Sequence, residues 1–382
     1  RRVAAGRPAG RAARPACGPR LPCRAAVFGL ASGMRFNFNV VGPASFDLWI
    51  APDDMRRTPR LRVVLDRTRE AVIEAWVHYP QLKDFGWHAH GICGFKLDGE
   101  SCPGLDQASQ FDIFDGDTNI LLYRHRAGAA YRQARVLALD YTIGQDNHAR
   151  DMLFPEFALS YFGIHDMHFD LLRCVIDIKY ADSMLLQGSL LMKRYEDVVQ
   201  AGDYVKTILV VDPYVELAKR ILWLRRMAEI GKDPVQQWRV DHLQGPCAFA
   251  AGLDLGSVSA LRKGFDRIDM ETYSWLENPL TRDLSCTFPG EAMKPGHWTL
   301  AIDTLSRFHV IGHQHFWGAY TAMLADVLKL EGPTLPERRV PEPVLELAET
   351  LSRVKNTIGL VEMDINLSDK VYTIIEAQWE KP

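Results

Sequence analysis

The sequence predicts an α+β protein, a small N-terminal α/β layer region followed by a larger, mainly α-helical domain. Three observations carry that expectation. Short β-prone runs punctuated by Gly and Pro crowd the first 150 residues. From about residue 151 apolar residues recur every three or four positions, the period of a half-buried helix. From Met34 to about Gly144 no regular strand-helix repeat appears that would build a barrel or a doubly wound sheet. At 382 residues and 47% hydrophobic content, the chain is long enough for two domains. The expected units are residues 1–33, a non-native or targeting extension; 34–150, the α/β domain; and 151–382, the helical domain.

Residues 1–33 contain seven arginines and no acid, mixed with Ala, Gly and Pro that cannot build a core. The chain does not open on Met, and Met34 is followed at once by the strand-like FNFNVV. Met34 is therefore the expected start, with an Arg-rich transit peptide or a basic arm as the other readings. Without those seven arginines the 45 basic residues fall to 38 against 48 acidic ones, a net of −10. A domain of that charge, with no basic stripe interleaved with aromatics, is repelled by phosphate backbones, which argues against a nucleic-acid partner.

Between 34 and 150, FNFNVV and FDLWI read as strands separated by Gly42 and Pro43. Thr58 and Pro59 then suit an N-cap and first helical turn, and Leu61, Val64, Leu65, Thr68, Val72, Ala75 and Trp76 have helical spacing, so a helix is expected up to Pro80. WHAHGICGFKL, ILLYRH and RVLALDYTIG read as further strands. Asp98, Glu100, Asp106, Asp112, Asp115 and Asp117 crowd one loop, but their spacing does not supply the ligand positions of a calcium loop.

In the second half, Asp212-Pro213 opens a clear helix that Gly231 stops. Residues 295–330 form the strongest helical pattern of all. Ile302, Leu305, Gly312, Phe316, Ala319, Tyr320, Met323, Val327 and Leu330 make one stripe, with His309 and His313 inside it. Imidazoles on an apolar face need hydrogen-bond partners or a metal.

The familiar catalytic signatures are missing. There is no phosphate-cradling G-x-x-x-x-G-K-[ST], no G-x-G-x-x-G, no G-x-S-x-G elbow, no H-E-x-x-H and no Glu-x-x-His pair. What remains is a set of histidine pairs: His88 with His90, His165 with His168 beside Asp166 and Asp170, and His309 with His313. A centre built from His165, His168, His309, His313 and Asp170 would hold iron, zinc or haem between helices of the C-terminal domain. His78, His125, His148, His242 and His297 are expected at the surface.

Seven cysteines, Cys17, Cys23, Cys93, Cys102, Cys174, Cys247 and Cys286, include no C-x-x-C pair and read as reduced thiols of a cytoplasmic protein. No run of eighteen apolar residues would span a membrane. Two function classes follow. One is a non-catalytic binding protein, of immunity or adaptor type, that engages a protein partner through an acidic, helix-rich surface. The other is a metal- or haem-dependent enzyme using the His-rich site.

Overall fold

The computed structural model describes residues 33–144, 149–331 and 339–379. The extension expected over 1–33, with Cys17 and Cys23, lies outside the described residues except for Gly33, and so does His148. The mixed α+β class holds: the N-terminal region is strand-rich and the C-terminal region helical.

Apolar-polar alternation, clearest in β2, β3 and β7, builds the first layer. It comprises β1 (Arg35–Gly42), β2 (Ser45–Ala51), β3 (Arg60–Leu65), β4 (Arg69–Glu74) and β5 (Val77–His78), then helix α1 (Pro80–Asp84), β6 (Ile92–Leu97), β7 (Gln110–Asp115) and β8 (Leu121–Arg126). The strands form two antiparallel sheets, β1-β2-β6-β5 and β4-β3-β7-β8. Their inner faces meet through aromatic rings, Phe46 lying 5.9 Å from Phe111 and 4.8 Å from Tyr123 between centroids. Each such pair adds about 0.5–1.5 kcal/mol to its burial.

The helix expected after Pro59 is instead the β3–β4 hairpin. Leu61, Val63 and Leu65 are buried alternately, a period of two that coexists with the three-four spacing of the same segment. Asp66 and Arg67 both take positive φ in a turn closed by the Thr68 N–H on the Leu65 carbonyl at 3.1 Å. The Asp66 carboxylate then accepts from Ser109 N–H and Oγ, which holds this glycine-free turn against β7. The acidic loop also resolves into local partners, because Asp112 pairs with Arg124 and Arg126, and Asp117 with Arg57 and Arg60.

Past β8 the chain enters a five-stranded parallel sheet. In chain order the elements are β9 (Arg135–Leu139), α2 (Ala149–Leu153), β10 (Leu159–Phe162), α3 (Phe169–Ile176), β11 (Met184–Gly188), α4 (Glu196–Ala201), β12 (Val205–Val210) and α5 (Pro213–Ile230). They continue as α6 (Gln244–Gly252), α7 (Val258–Phe265), α8 (Met270–Leu276), α9 (Pro279–Ser285), α10 (Pro295–Leu305), β13 (Val310–His313), α11 (Trp317–Leu328), α12 (Glu342–Ser352) and α13 (Ile358–Trp379). The spatial order is β10-β11-β9-β12-β13. This wound sheet corrects the reading that the pattern stays helical from about residue 151, since β10, β11, β12 and β13 are interleaved with the helices there. Its inner strands β9 and β11 are buried on both faces, so they appear in sequence as short apolar runs without alternation. Leu137 and Leu139 join a core with α3, α10 and α13, while Val136 and Ala138 face the opposite way, into a core with α11. The division expected at residue 150 falls after β9, yet β9 is the central strand and pairs with both β11 and β12.

The stretch 295–330 is not one helix but α10, β13 and α11. Val310 pairs with Thr207 and His313 with Val210, so the β-branched Val310-Ile311 pair completes the sheet edge. Here tertiary pairing overrides the local helical period. Gly312 permits the fold-back of α11, since a Cβ at that position would lie 2.4 Å from the Tyr320 ring. A separate helical core gathers α5, α6, α7 and α12 around Leu217, Ile221, Leu224 and Leu351. No helix among the described residues is long and apolar enough to cross a membrane.

Candidate functional site

The order of the sheet selects one of its two ends. The chain leaves β9 toward β10 on one side, whereas it leaves the adjacent β12 toward β13 on the other. Neighbouring strands whose connections part in this way open a crevice beyond their carboxyl ends, where ligands of wound sheets bind.

Asp140 follows β9 directly and is 5% exposed. It accepts from Thr142 Oγ1 at 2.6 Å and from Gln187 Nε2, at the end of β11, at 3.3 Å. Gly188 closes β11 with φ +146°, and a Cβ there would lie 2.8 Å from the backbone nitrogen of Ile164. The missing side chain lets the β10 exit loop, with His165, approach the edge. Beyond β12, Asp212 caps α5 by accepting from the N–H groups of Tyr214 and Val215, both at 2.9 Å. One turn into that helix Glu216, 1% exposed, accepts from Ile143 N–H at 2.9 Å and from Arg220 Nε at 2.8 Å. Arg220 also donates to the Tyr141 carbonyl at 2.7 Å, tying α5 to the β9 loop.

Two more carboxylates arrive from the helical half. Asp283 on α9 accepts from Leu190 N–H, just past β11, at 3.3 Å. Asp364 on α13 accepts from the Leu280 and Thr281 N–H groups at 3.0 and 2.8 Å and from Thr281 Oγ1 at 2.7 Å. Asn278, at φ 40°, fixes the start of α9 by accepting from Met363 and Asp364 N–H at 2.9 and 3.2 Å.

Four buried carboxyls thus surround the edge, and the only ion pair recorded for them among the described residues is Glu216 with Arg220. Burial therefore dominates their titration. It pushes Glu216 and Asp283 up to about 7 and Asp364 up to about 6, and it raises Asp140 as well. Arg220 partly offsets this at Glu216, and Ser189 does so at Asp283. Groups that exchange a proton near neutrality suit general acid-base chemistry.

Asp283 and Arg220 line a cleft of about 640 Å³ together with His165, Ser189, Arg194 and Arg282. The three guanidinium groups differ in their commitments. Arg220 is bound to Glu216, and Arg282 pairs with Glu277 at 3.2 Å. Arg194 stacks over the Phe169 ring at 4.3 Å and has no carboxylate partner among the described residues. Its charge is available to a ligand.

No family model, curated protein or solved structure matches the chain.

The residues proposed from sequence scatter across this frame. His309 is exposed at the amino end of β13, and its Nδ1 accepts from Lys206 N–H at 3.0 Å. His313 is buried at the carboxyl end, with Nε2 3.1 Å from Ser368 Oγ. Four residues of strand separate the two by about 13 Å, where a helix would have brought them to about 6 Å. Burial, with the neighbouring His315 second, lowers the pKa of His313 to about 4, so it is a neutral core imidazole. His168 caps α3 and stands 3.8 Å from Asp170, which is itself paired with Arg35 at 2.8 Å. His165 alone of the five reaches the cleft. Among the described residues no metal-ligating group unites His165, His168, His309, His313 and Asp170. His88 and His90 precede β6 rather than sharing a strand face, and His88 is held by Arg57 and Gly91. His297, expected at the surface, is buried.

No motif in the sequence marks Asp140, Glu216, Asp283 or Asp364. The one available signal was Glu216 with Arg220, an i,i+4 pair set on the face of α5 that also carries Leu217, Ile221 and Leu224.

Proposed function

We propose that this cleft is an enzyme site for a small molecule bearing an anionic group, in which Arg194 receives the anion and Asp283 exchanges a proton. The observation that carries the reading is the convergence, in one cavity at the switch point of the sheet, of an uncommitted guanidinium with a buried carboxyl held near neutrality. Ser189 and His165 stand at the same edge as polar groups that orient a ligand. Calorimetric titration with inorganic phosphate, sulfate and pyrophosphate tests it. One saturable anion site is expected, weakened at least about tenfold in R194Q, since a charge-assisted hydrogen bond is worth about 1.5–3 kcal/mol. Absence of binding by all three anions, or equal binding by R194Q, removes the reading.

The other class, a non-catalytic protein engaging a protein partner through an acidic surface, rests on charge balance alone and takes the opposite outcome of this titration. A metal- or haem-dependent enzyme between the histidine pairs needs His309 and His313 on one helix, whereas His309 precedes β13 and His313 ends it.

A further inference from the structure

Independently of the cleft, the loop joining α9 to α10 brings three donors of different chemistry together. Cys286 Sγ, a Glu291 carboxylate oxygen and a His297 ring nitrogen all lie within 4.8 Å of one another. The His297 Nε2 to Glu291 Oε1 distance is 3.3 Å, and Met293 Sδ stands 3.5 Å from the thiol. Bonds of about 2.0–2.3 Å in a tetrahedral zinc site imply ligand-to-ligand edges of about 3.3–3.8 Å. A modest contraction closes the set.

Two of the three ligands, Glu291 and His297, are already held from behind. Glu291 Oε2 accepts from Thr287 N–H at 2.8 Å and from Thr287 Oγ1 at 3.0 Å, which leaves Oε1 facing His297. Lys294 offers His297 Nδ1 two backbone partners, an N–H at 2.8 Å and a carbonyl at 3.1 Å. With Nδ1 accepting from the N–H, Nε2 carries the proton and donates to Glu291. With Nδ1 protonated and donating to the carbonyl, the Nε2 lone pair is free for a cation, the arrangement usual in metal-bound histidines.

The same three residues could form a nucleophilic relay, but Cys286 has 0% exposure and no substrate reaches its sulfur. A cation needs no such access. Thiolate and imidazole disfavour calcium and magnesium, and a carboxylate in the set disfavours copper(I). We infer that Cys286, Glu291 and His297 form a zinc site with water in the fourth position, clipping the loop whose Pro289 and Gly290 form part of the cleft wall. The thiol loses its proton to solvent when the metal binds.

Cobalt(II), added to chelator-treated full-length protein, is the probe. The expected result is a thiolate-to-cobalt charge-transfer band that saturates at one equivalent, is displaced by zinc, and is absent in C286S. E291Q and H297Q should each weaken cobalt binding at least about tenfold. Zinc-edge X-ray absorption on the unaltered protein gives a second reading that does not depend on C286S folding, with one sulfur at about 2.3 Å among nitrogen and oxygen ligands expected. A sulfur-free shell, a band that survives C286S, or copper(I) binding where cobalt and zinc fail would overturn the assignment.

Discussion

Replacing Asp283 with Asn probes the buried carboxyls most directly. Asp283 is taken out of water on α9, and its proton is held up to about 7 against a usual value of 3.8. In the unfolded chain it ionises near 3.8, so between roughly pH 4 and pH 7 the folded state holds a proton that the unfolded state has lost. Stability contributed at this position therefore falls as pH rises through that window, and the deficit persists above it. About three units at about 1.4 kcal/mol each put the deficit near 4 kcal/mol at pH 8. Asparagine copies the protonated shape and keeps an oxygen for the Leu190 N–H, so D283N should be nearly neutral at pH 4 and stabilising by up to about 4 kcal/mol at pH 8. Urea unfolding at a series of pH values measures both limits. A stability difference between D283N and the parent that does not change from pH 4 to pH 8 would refute the reasoning, and so would a mutant weaker than the parent at pH 8. If Asp283 is the proton-exchanging group proposed for the cleft, the stabilised variant should also be inactive.

Three other perturbations follow from the packing. R220M removes the partner of Glu216 and the donor to the Tyr141 carbonyl, and should cost about 3–5 kcal/mol at pH 8 and less at pH 5, where Glu216 is protonated; urea midpoints check it. G312A places a methyl group 2.4 Å from the Tyr320 ring and should destabilise by about 1–3 kcal/mol in thermal unfolding. N278A removes the acceptor for two α13 N–H groups, both at the α9 junction, and should cost about 1–3 kcal/mol; faster hydrogen exchange at Met363 and Asp364 is the direct readout.

What could be read from the sequence was chemistry that acts over a few residues. The α5 helix was legible because Asp212, Pro213 and Gly231 each do their work locally, and β1 and β2 because Gly42 and Pro43 separate them. The β3–β4 hairpin was hidden by a turn that reaches positive φ at Asp66 and Arg67 without glycine, leaving its apolar residues to mimic a helix. The parallel sheet was hidden because β9 and β11 are wrapped on both sides, and three or four consecutive apolar residues carry no period. For 295–330 the periodicity was real on α10 and α11, but the strand between them exists only because β12 offers an open edge. Site residues fared according to the same rule. Asp283 and Asp364 are 81 positions apart, and nothing in either neighbourhood announces that α9 and α13 will cross. Cys286, Glu291 and His297 lie close in sequence, yet only the fold turns their donors toward one another.

The last helix bears on how the protein can be made. Residues 358–379 shelter His313 through Ser368 and anchor the start of α9 through Asp364, so the outer strand and the α9 wall of the cleft are both completed by a segment that follows every other described element in the chain. The two antiparallel sheets can mature during translation, whereas the wound sheet must wait with its outermost ladder position unshielded. Nascent chains stalled before residue 358 should therefore recruit holdase chaperones, and release of that helix should end the association.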